Sequence, residues 1–448
     1  MDVVKKDIST AIKDVLNGII FALILVKGGN PVIFSEKIPA PQNIWEIIFS
    51  PFPFSWLLAL VFLLLVINFR DFEFKKLKGL PFSFYLIFIW FIWQLISSIF
   101  TVDANLTLWT MLHFSACLAC FLLGFFLYRD FLQTSSYFWT ALCISFFWIL
   151  YNGINQHFGG LEEIRKNFEQ ILAGLPPEQR LLLDTYEFRV KIMSNRIFSV
   201  FVYPNAFAGV LLLMTPVLSY SIFKYLQLRG FKIIGLVLMS VIVILSVCCL
   251  YWTGSKAGWL VFSVMLIFLV WKNLIISKKI KIIIGISVAA FLISILFIKH
   301  SEYFQRGAKS VGARFDYWSC ALKIAVKHPI LGTGPGTFSK PYREIKKPES
   351  EMAKLTHNDY LEQASDSGFI GFIAFTGFII STLIFGYRNS LHDSMLFVLW
   401  LGFLGWSLHS FFEFHLYIPS IAWTTFLFAG IIHGNSADTA VRVTKSVR

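Results

Sequence analysis

The segment Thr356-His357-Asn358-Asp359-Tyr360-Leu361, with Gly368 shortly after it, gathers groups able to move a proton. An imidazole takes up and returns a proton near neutral pH. This one closes a long basic stretch wedged between two hydrophobic runs. A proton acceptor at a membrane surface, among Arg and Lys, suits chemistry on an anionic, lipid-borne substrate. Two other polar clusters stand at the ends of apolar runs. One begins Arg196-Ile197-Phe198 and continues to Pro204-Asn205-Ala206-Phe207-Ala208-Gly209; the other is Thr253-Gly254-Ser255-Lys256-Ala257-Gly258-Trp259. The basic stretch itself holds Arg314 and His328-Pro329-Ile330-Leu331-Gly332-Thr333-Gly334-Pro335-Gly336-Thr337-Phe338. Its glycines look like a phosphate-cradling loop but lack a following Lys-Ser or Lys-Thr. The better reading is a tight turn that brings the backbone close to the membrane or to a ligand.

Composition names the scaffold that must position these groups. Of 448 residues, 56% are hydrophobic and only 15% charged, and the mean hydropathy is +0.68. A soluble chain carries about 25% charged residues. A span needs roughly 20 apolar residues to cross ~30 Å of hydrocarbon, and runs of that order recur throughout. The fold class is an all-α polytopic membrane protein with about twelve transmembrane helices, forming one integral membrane domain over residues 1–448. The spans fall near 10–27, 53–69, 81–100, 106–128, 136–152, 197–223, 232–253, 257–272, 281–298, 367–387, 394–413 and 416–433. Lys13, Asp14 and Asn17 dilute the first of them. No small-x-small cleavage site follows it, so it reads as a retained span. Two long loops remain, 153–196 and 299–366, the second partly helical and carrying His357. Within the first, Leu161–Leu172 and Leu181–Val190 read as amphipathic helices on the membrane.

Lys and Arg in short loops orient the bundle. They crowd at the N-terminus, in residues 70–80, at Arg129, in 224–232 and 272–281, at Arg388 and in the tail from Arg442. The alternate short loops hold only Lys27, Lys37 and Lys256. Both termini are therefore expected in the cytoplasm, and the two long loops, with their own basic residues, on the outer side. The net charge of +13 is accounted for by topology and anion binding. With no continuous basic stripe interleaved with stacking aromatics, nucleic acid is excluded as a partner. Cys117-x-x-Cys120 has redox spacing but lies inside an apolar run, where small residues serve helix packing.

At the outer-face clusters the sequence resembles the O-antigen ligase and polymerase family of cell-envelope glycan enzymes. The resemblance rests on Arg-x-Phe followed by Pro-Asn-Ala-x-Ala-Gly, on His-Pro-x-x-Gly-x-Gly-Pro-Gly-x-Phe, and on His-Asn-x9-Gly-x-x-Gly ending at Gly371; it covers about residues 190–435. It implies a multispanning bacterial inner-membrane enzyme, active on the periplasmic side. Such an enzyme takes a glycan from undecaprenyl diphosphate and joins it to an acceptor sugar, lipid A–core for a ligase. A polymerase, or a protein O-oligosaccharyltransferase, would share the donor chemistry. The turn that in the family commonly reads Ser-Arg-Gly is here Ser255-Lys256-Ala257, which keeps the charge but loses the bidentate fork.

The residue types suit this chemistry. His357 is the candidate general base, with Thr356 capping a helix toward Gly368; a first-turn position and nearby cations would favour the neutral ring. Arg196, Lys256 and Arg314 are the candidate clamp for the donor diphosphate, since cations aimed at developing charge are often the largest catalytic term. With that clamp, neither metal nor cofactor is called for. Plainer readings exist: Arg196 as an interfacial anchor, Arg314 paired with Asp316, Lys256 solvated. Asn205, Asn358, His409 and Glu413 form a second tier. His409 and Glu413, one helical turn apart at a span end, could hydrogen-bond locally; a metal site would need another ligand. His113 reads as a packed polar residue in the fourth span. A flippase or other transporter would instead place its working charges near the midplane, where these spans carry almost none.

Overall fold

The computed structural model describes residues 2–72, 80–127, 136–176, 192–273 and 309–446, with isolated positions between. Helices form where apolar residues run unbroken, because in lipid each backbone amide must find its partner within its own segment. They are α1 (Asp2–Lys27), α2 (Ile44–Phe49), α3 (Phe54–Asn68), α4 (Phe82–Ser98), α5 (Ala104–Leu127), α6 (Ser136–Asn155), α7 (Leu161–Gly174) and α8 (Pro204–Leu228). Beyond these come α9 (Lys232–Trp252), α10 (Lys256–Asn273), α11 (Lys309–Lys327), α12 (Ser339–Ile345), α13 (Asp359–Ser390), α14 (Ser394–His409) and α15 (Pro419–Ser446). No strand occurs among the described residues.

Among the described residues, six helical stretches are long and apolar enough to cross a membrane: Phe54–Asp71, Ala104–Leu127, Tyr137–Gly174, Pro204–Leu228, Lys232–Trp252 and Asp359–Ser390. Phe82–Ser98 and Ser394–His409 are shorter apolar helices. The chain is an all-α membrane protein. The span expected near 281–298 lies outside the described residues, as do Lys75, Lys76, Lys78, Arg129, Lys278, Lys279, Lys281 and most of Leu181–Val190.

The polar residues that dilute the first span tie it to its neighbours. Lys13 pairs with Asp71 at 2.8 Å, and Asn17 and Asn68 exchange amide hydrogen bonds. Asp14 accepts from the backbone N–H groups of Tyr137 and Phe138, which satisfies the exposed donors at the start of α6. Cys117 and Cys120 are buried free thiols on α5, where α5 packs along α15. His113 is fully buried on the same helix. Its Nδ1 accepts from the Trp423 indole at 3.1 Å, so its Nε2–H donates to the Leu416 carbonyl at 2.6 Å.

The connections at one end of the bundle are knitted by backbone hydrogen bonds, and this is the end that carries the polar motifs. Ile197 donates to Trp252, Val102 to Thr333, Asp359 to Ser410 and Ser420 to Gly28. At this end α13 is broken at Ser367 and Gly368, where Gly368 has φ +69° and Phe369 donates to the Pro329 carbonyl. The half before the break is buried except at Leu361, which is half-buried, yet carries Asp359, Glu362 and Asp366. Each anchors a loop: Asp359 accepts from Leu416 N–H, Glu362 from Thr356 N–H, and Asp366 from Gly336 N–H and the Tyr417 hydroxyl. Gly332, Gly334 and Gly336 all have positive φ, and a Cβ at Gly336 would collide with Thr110. The glycine run is therefore a turn pressed against α13 and α5.

Candidate functional site

Five segments remote in sequence meet at this end. Arg196 lies in the extended stretch before α8, where its Nε donates to the Thr253 carbonyl at 2.6 Å and its Nη2 to Asn205 Oδ1 at 2.7 Å. Pro204, at the first position of α8, has no N–H to leave unsatisfied, and it places Asn205 in the opening turn. The other end of the Asn205 amide donates to Glu413 Oε1. Arg314, on α11, donates to the same Glu413 oxygen at 2.6 Å and to the Phe412 carbonyl at 3.2 Å. His357 Nδ1 lies 3.0 Å from the other oxygen, Glu413 Oε2.

Glu413 is thus the hub of the cluster, although its sequence signal placed it only in the second tier. Its side chain is 3% exposed. Burial by itself would raise its carboxyl, but His357 and Arg314 hold it well below the usual carboxylate range. It stays ionised and organises the groups around it. Arg314 pairs with this carboxylate rather than with Asp316, which instead accepts from Ser350.

His357 differs from the sequence expectation in its surroundings. Asn358, not Thr356, caps α13, its side chain accepting from the N–H groups of Tyr360 and Leu361. The ring therefore stands just ahead of the helix, on a backbone at φ +54°. Its partner is a carboxylate, where the sequence pointed to cations. Tyr317 stacks on one side at 6.0 Å between centroids, and Phe414 meets it edge-on at 4.7 Å. The side chain stays 30% exposed.

Lys256 sits at the turn into α10. Burial first, then the charges of Arg196 and Arg314, push its ammonium down to about 8. Three cations thus feel one another across the site, an arrangement that a multiply charged anion would relieve. Gly254, beside Lys256, packs directly against the Arg196 side chain.

His409 and Glu413 do not form the expected pair. The helix ends at His409, and the turn that follows carries Glu413 to Arg314, His357 and Asn205. The His409 ring packs 4.8 Å from that of His415, with Nε2 3.4 Å from Ser255 Oγ. Burial pushes the His415 imidazole down to about 4, so it is neutral. It presses on Gly209, where any Cβ would collide with the ring. Gln156, which no motif marked, holds the segment after Arg196: its Oε1 accepts from Phe198 and Ser199 N–H, and its Nε2 donates to the Ser199 carbonyl.

Residues 241–376 match the family model described as O-antigen ligase. This match supports an O-antigen ligase-family assignment and, with it, a membrane glycan-transferring function. The matched region contains Lys256, Arg314 and His357, while Arg196, Asn205 and Glu413 lie outside it. The chain is also similar to an uncharacterized protein of Haemophilus influenzae, 31% identical over 176 residues. That alignment covers 33% of this chain and 43% of the relative, so the chain spans less than half the length of the protein it matches.

Proposed function

We propose that the chain transfers a glycan from undecaprenyl diphosphate to a sugar hydroxyl at the periplasmic face of the bacterial inner membrane, with lipid A–core as the acceptor. The observation that carries this reading is the convergence of His357, Arg314 and Asn205 on the single buried carboxylate of Glu413, with Arg196 held by Asn205. A proton acceptor and a set of cations side by side are what glycosyl transfer from a lipid diphosphate requires.

The steps follow from the geometry. Glu413 accepts the Nδ1–H of His357, which fixes the tautomer and leaves Nε2 with its lone pair. Nε2 takes the proton of the acceptor hydroxyl as that oxygen attacks the anomeric carbon of the donor glycan. The bond from the anomeric carbon to the phosphate oxygen breaks, and undecaprenyl diphosphate leaves with the electron pair. Arg196, Lys256 and Arg314 stabilise the negative charge gathering on the leaving oxygen, and Glu413 stabilises the positive charge on the ring. The activated donor supplies the driving force, so the step calls for neither metal nor cofactor. The basic short loops support cytoplasmic termini with this site outside.

Reconstituted protein, offered undecaprenyl-diphosphate-linked glycan with lipid A–core, is expected to form glycan-capped lipid A–core, and His357→Ala to form none. Chain extension from donor alone would instead identify a polymerase. Donor left unchanged with every acceptor would sink the enzyme reading and leave a transporter.

A further inference from the structure

One side chain that grips the backbone just before Arg196 belongs to neither the base nor the clamp. Arg165, on α7, donates from Nε to the Ile192 carbonyl at 3.3 Å, and from Nη2 to the Met193 and Ser194 carbonyls at 3.3 and 3.1 Å. Nη2 also reaches Asn195 Oδ1 at 2.6 Å, while Nη1 meets Glu162 at 3.1 Å. Besides Glu162, its acceptors are the four residues immediately before Arg196. We infer that Arg165 is a positioning residue for Arg196: one guanidinium grips the segment that aims another at the donor diphosphate.

Neighbouring contacts act in the same direction. Gln156 fixes Phe198 and Ser199 on the far side of Arg196. His157 stacks on Trp252 at 4.0 Å and 12°, and the Trp252 carbonyl accepts from Ile197 N–H. The stretch 156–165 therefore holds the chain on both sides of Arg196. A planar guanidinium suits this task, because its donors lie in a fixed fork that can read several carbonyls together. A lysine would offer a point charge and lose the shape of the contact. Between α6 and α7 the chain turns through Gly159 at φ +137° with nothing packed where a Cβ would stand. Leu161 and Ile164 seat α7 on the apolar core, and Arg165 adds the polar contacts that tie it to residues 192–195.

The inference rests on reading Arg196 as a ligand of the donor diphosphate, and a double-mutant cycle separates the two. The purified full-length protein is titrated with undecaprenyl diphosphate, and transfer is followed with the glycan-loaded lipid. Arg165→Ala is expected to weaken undecaprenyl diphosphate binding by about tenfold or more, since displacements remote from the chemistry have effects of that order. It is expected to raise the donor KM more than it lowers kcat, with membrane insertion intact. Placed on Arg196→Ala, it adds nothing further. Arg165→Lys recovers only part of the loss. Asn195→Ala, an exposed position that removes only the 2.6 Å contact, shows a smaller loss with the same coupling and serves if Arg165→Ala fails to insert. Losses that add in full on the Arg196→Ala background overturn this proposal alone. Wild-type binding by Arg196→Ala overturns the donor reading of Arg196 and this proposal with it.

Discussion

His357 Nδ1 and Glu413 Oε2 lie 3.0 Å apart although 56 residues separate them in the chain. The contact joins the loop before α13 to the turn between α14 and α15, so the last helical hairpin is part of the site. Glu413→Gln tests what the carboxylate contributes. The amide keeps the volume and one acceptor but removes the charge that orients and balances the ring. Transfer is expected to fall by about 10²–10⁴-fold, the range of general-base assistance, with protein level preserved. Turnover within twofold of wild type would remove Glu413 from the mechanism.

Lys256 predicts a pH dependence. Its pKa is lowered to about 8, so it is cationic below that pH and increasingly neutral above it. A bound diphosphate favours the cation. Donor affinity should therefore fall as pH rises from 7 to 9. Lys256→Arg keeps its charge throughout that range and should flatten this limb of the profile. A variant that retains the same alkaline limb would assign the titration to another group.

Gly209 tests the packing that seats the hairpin. In the sequence it is the last residue of a motif; in the structure it is the floor under the His415 ring. Gly209→Ala adds a methyl where there is no room, and overpacking of this kind costs about 1–3 kcal/mol. The expected result in detergent is a lower unfolding temperature together with reduced transfer, because His415 and Glu413 share one short turn. An unchanged unfolding temperature would show that the turn gives way freely.

The all-α membrane class was legible because hydropathy reports directly on the solvent around a helix; of the twelve spans expected, six appear as long apolar helices and two as shorter ones among the described residues, and the polar motifs stood out against that background. Their mutual contacts were less legible. Asp14 and Asn17 read as weaknesses of the first span because their partners, the start of α6 and Asn68, lie far along the chain. Glu413 sat at helical spacing from His409, and only the end of α14 at that histidine turns it toward Arg314 and His357. Arg165 left no signal, since backbone carbonyls accept its hydrogen bonds and any residue can supply one. The Gly332–Gly336 run matched a ligand-binding pattern in composition, yet its positive φ angles serve a turn against α13 and α5.

Asn205 offers the sharpest discrimination among these contacts. Its amide presents an acceptor to Arg196 and a donor to Glu413, and no carboxylate can do both while ionised. Asn205→Asp would strengthen the contact with Arg196 but bring a second negative charge against Glu413 Oε1. Two carboxylates in contact resist joint ionisation, which raises the pKa of the pair. The variant should therefore be more impaired than Asn205→Ala at pH 8 and should regain activity as the pH is lowered and a proton is shared between the two acids. Wild type and Asn205→Ala lack that shared proton and should show only the shallower limb that Lys256 gives all three proteins. A pH–rate profile of the three proteins settles it: an Asn205→Asp curve parallel to that of Asn205→Ala would mean that the Asn205–Glu413 contact does not organise the site.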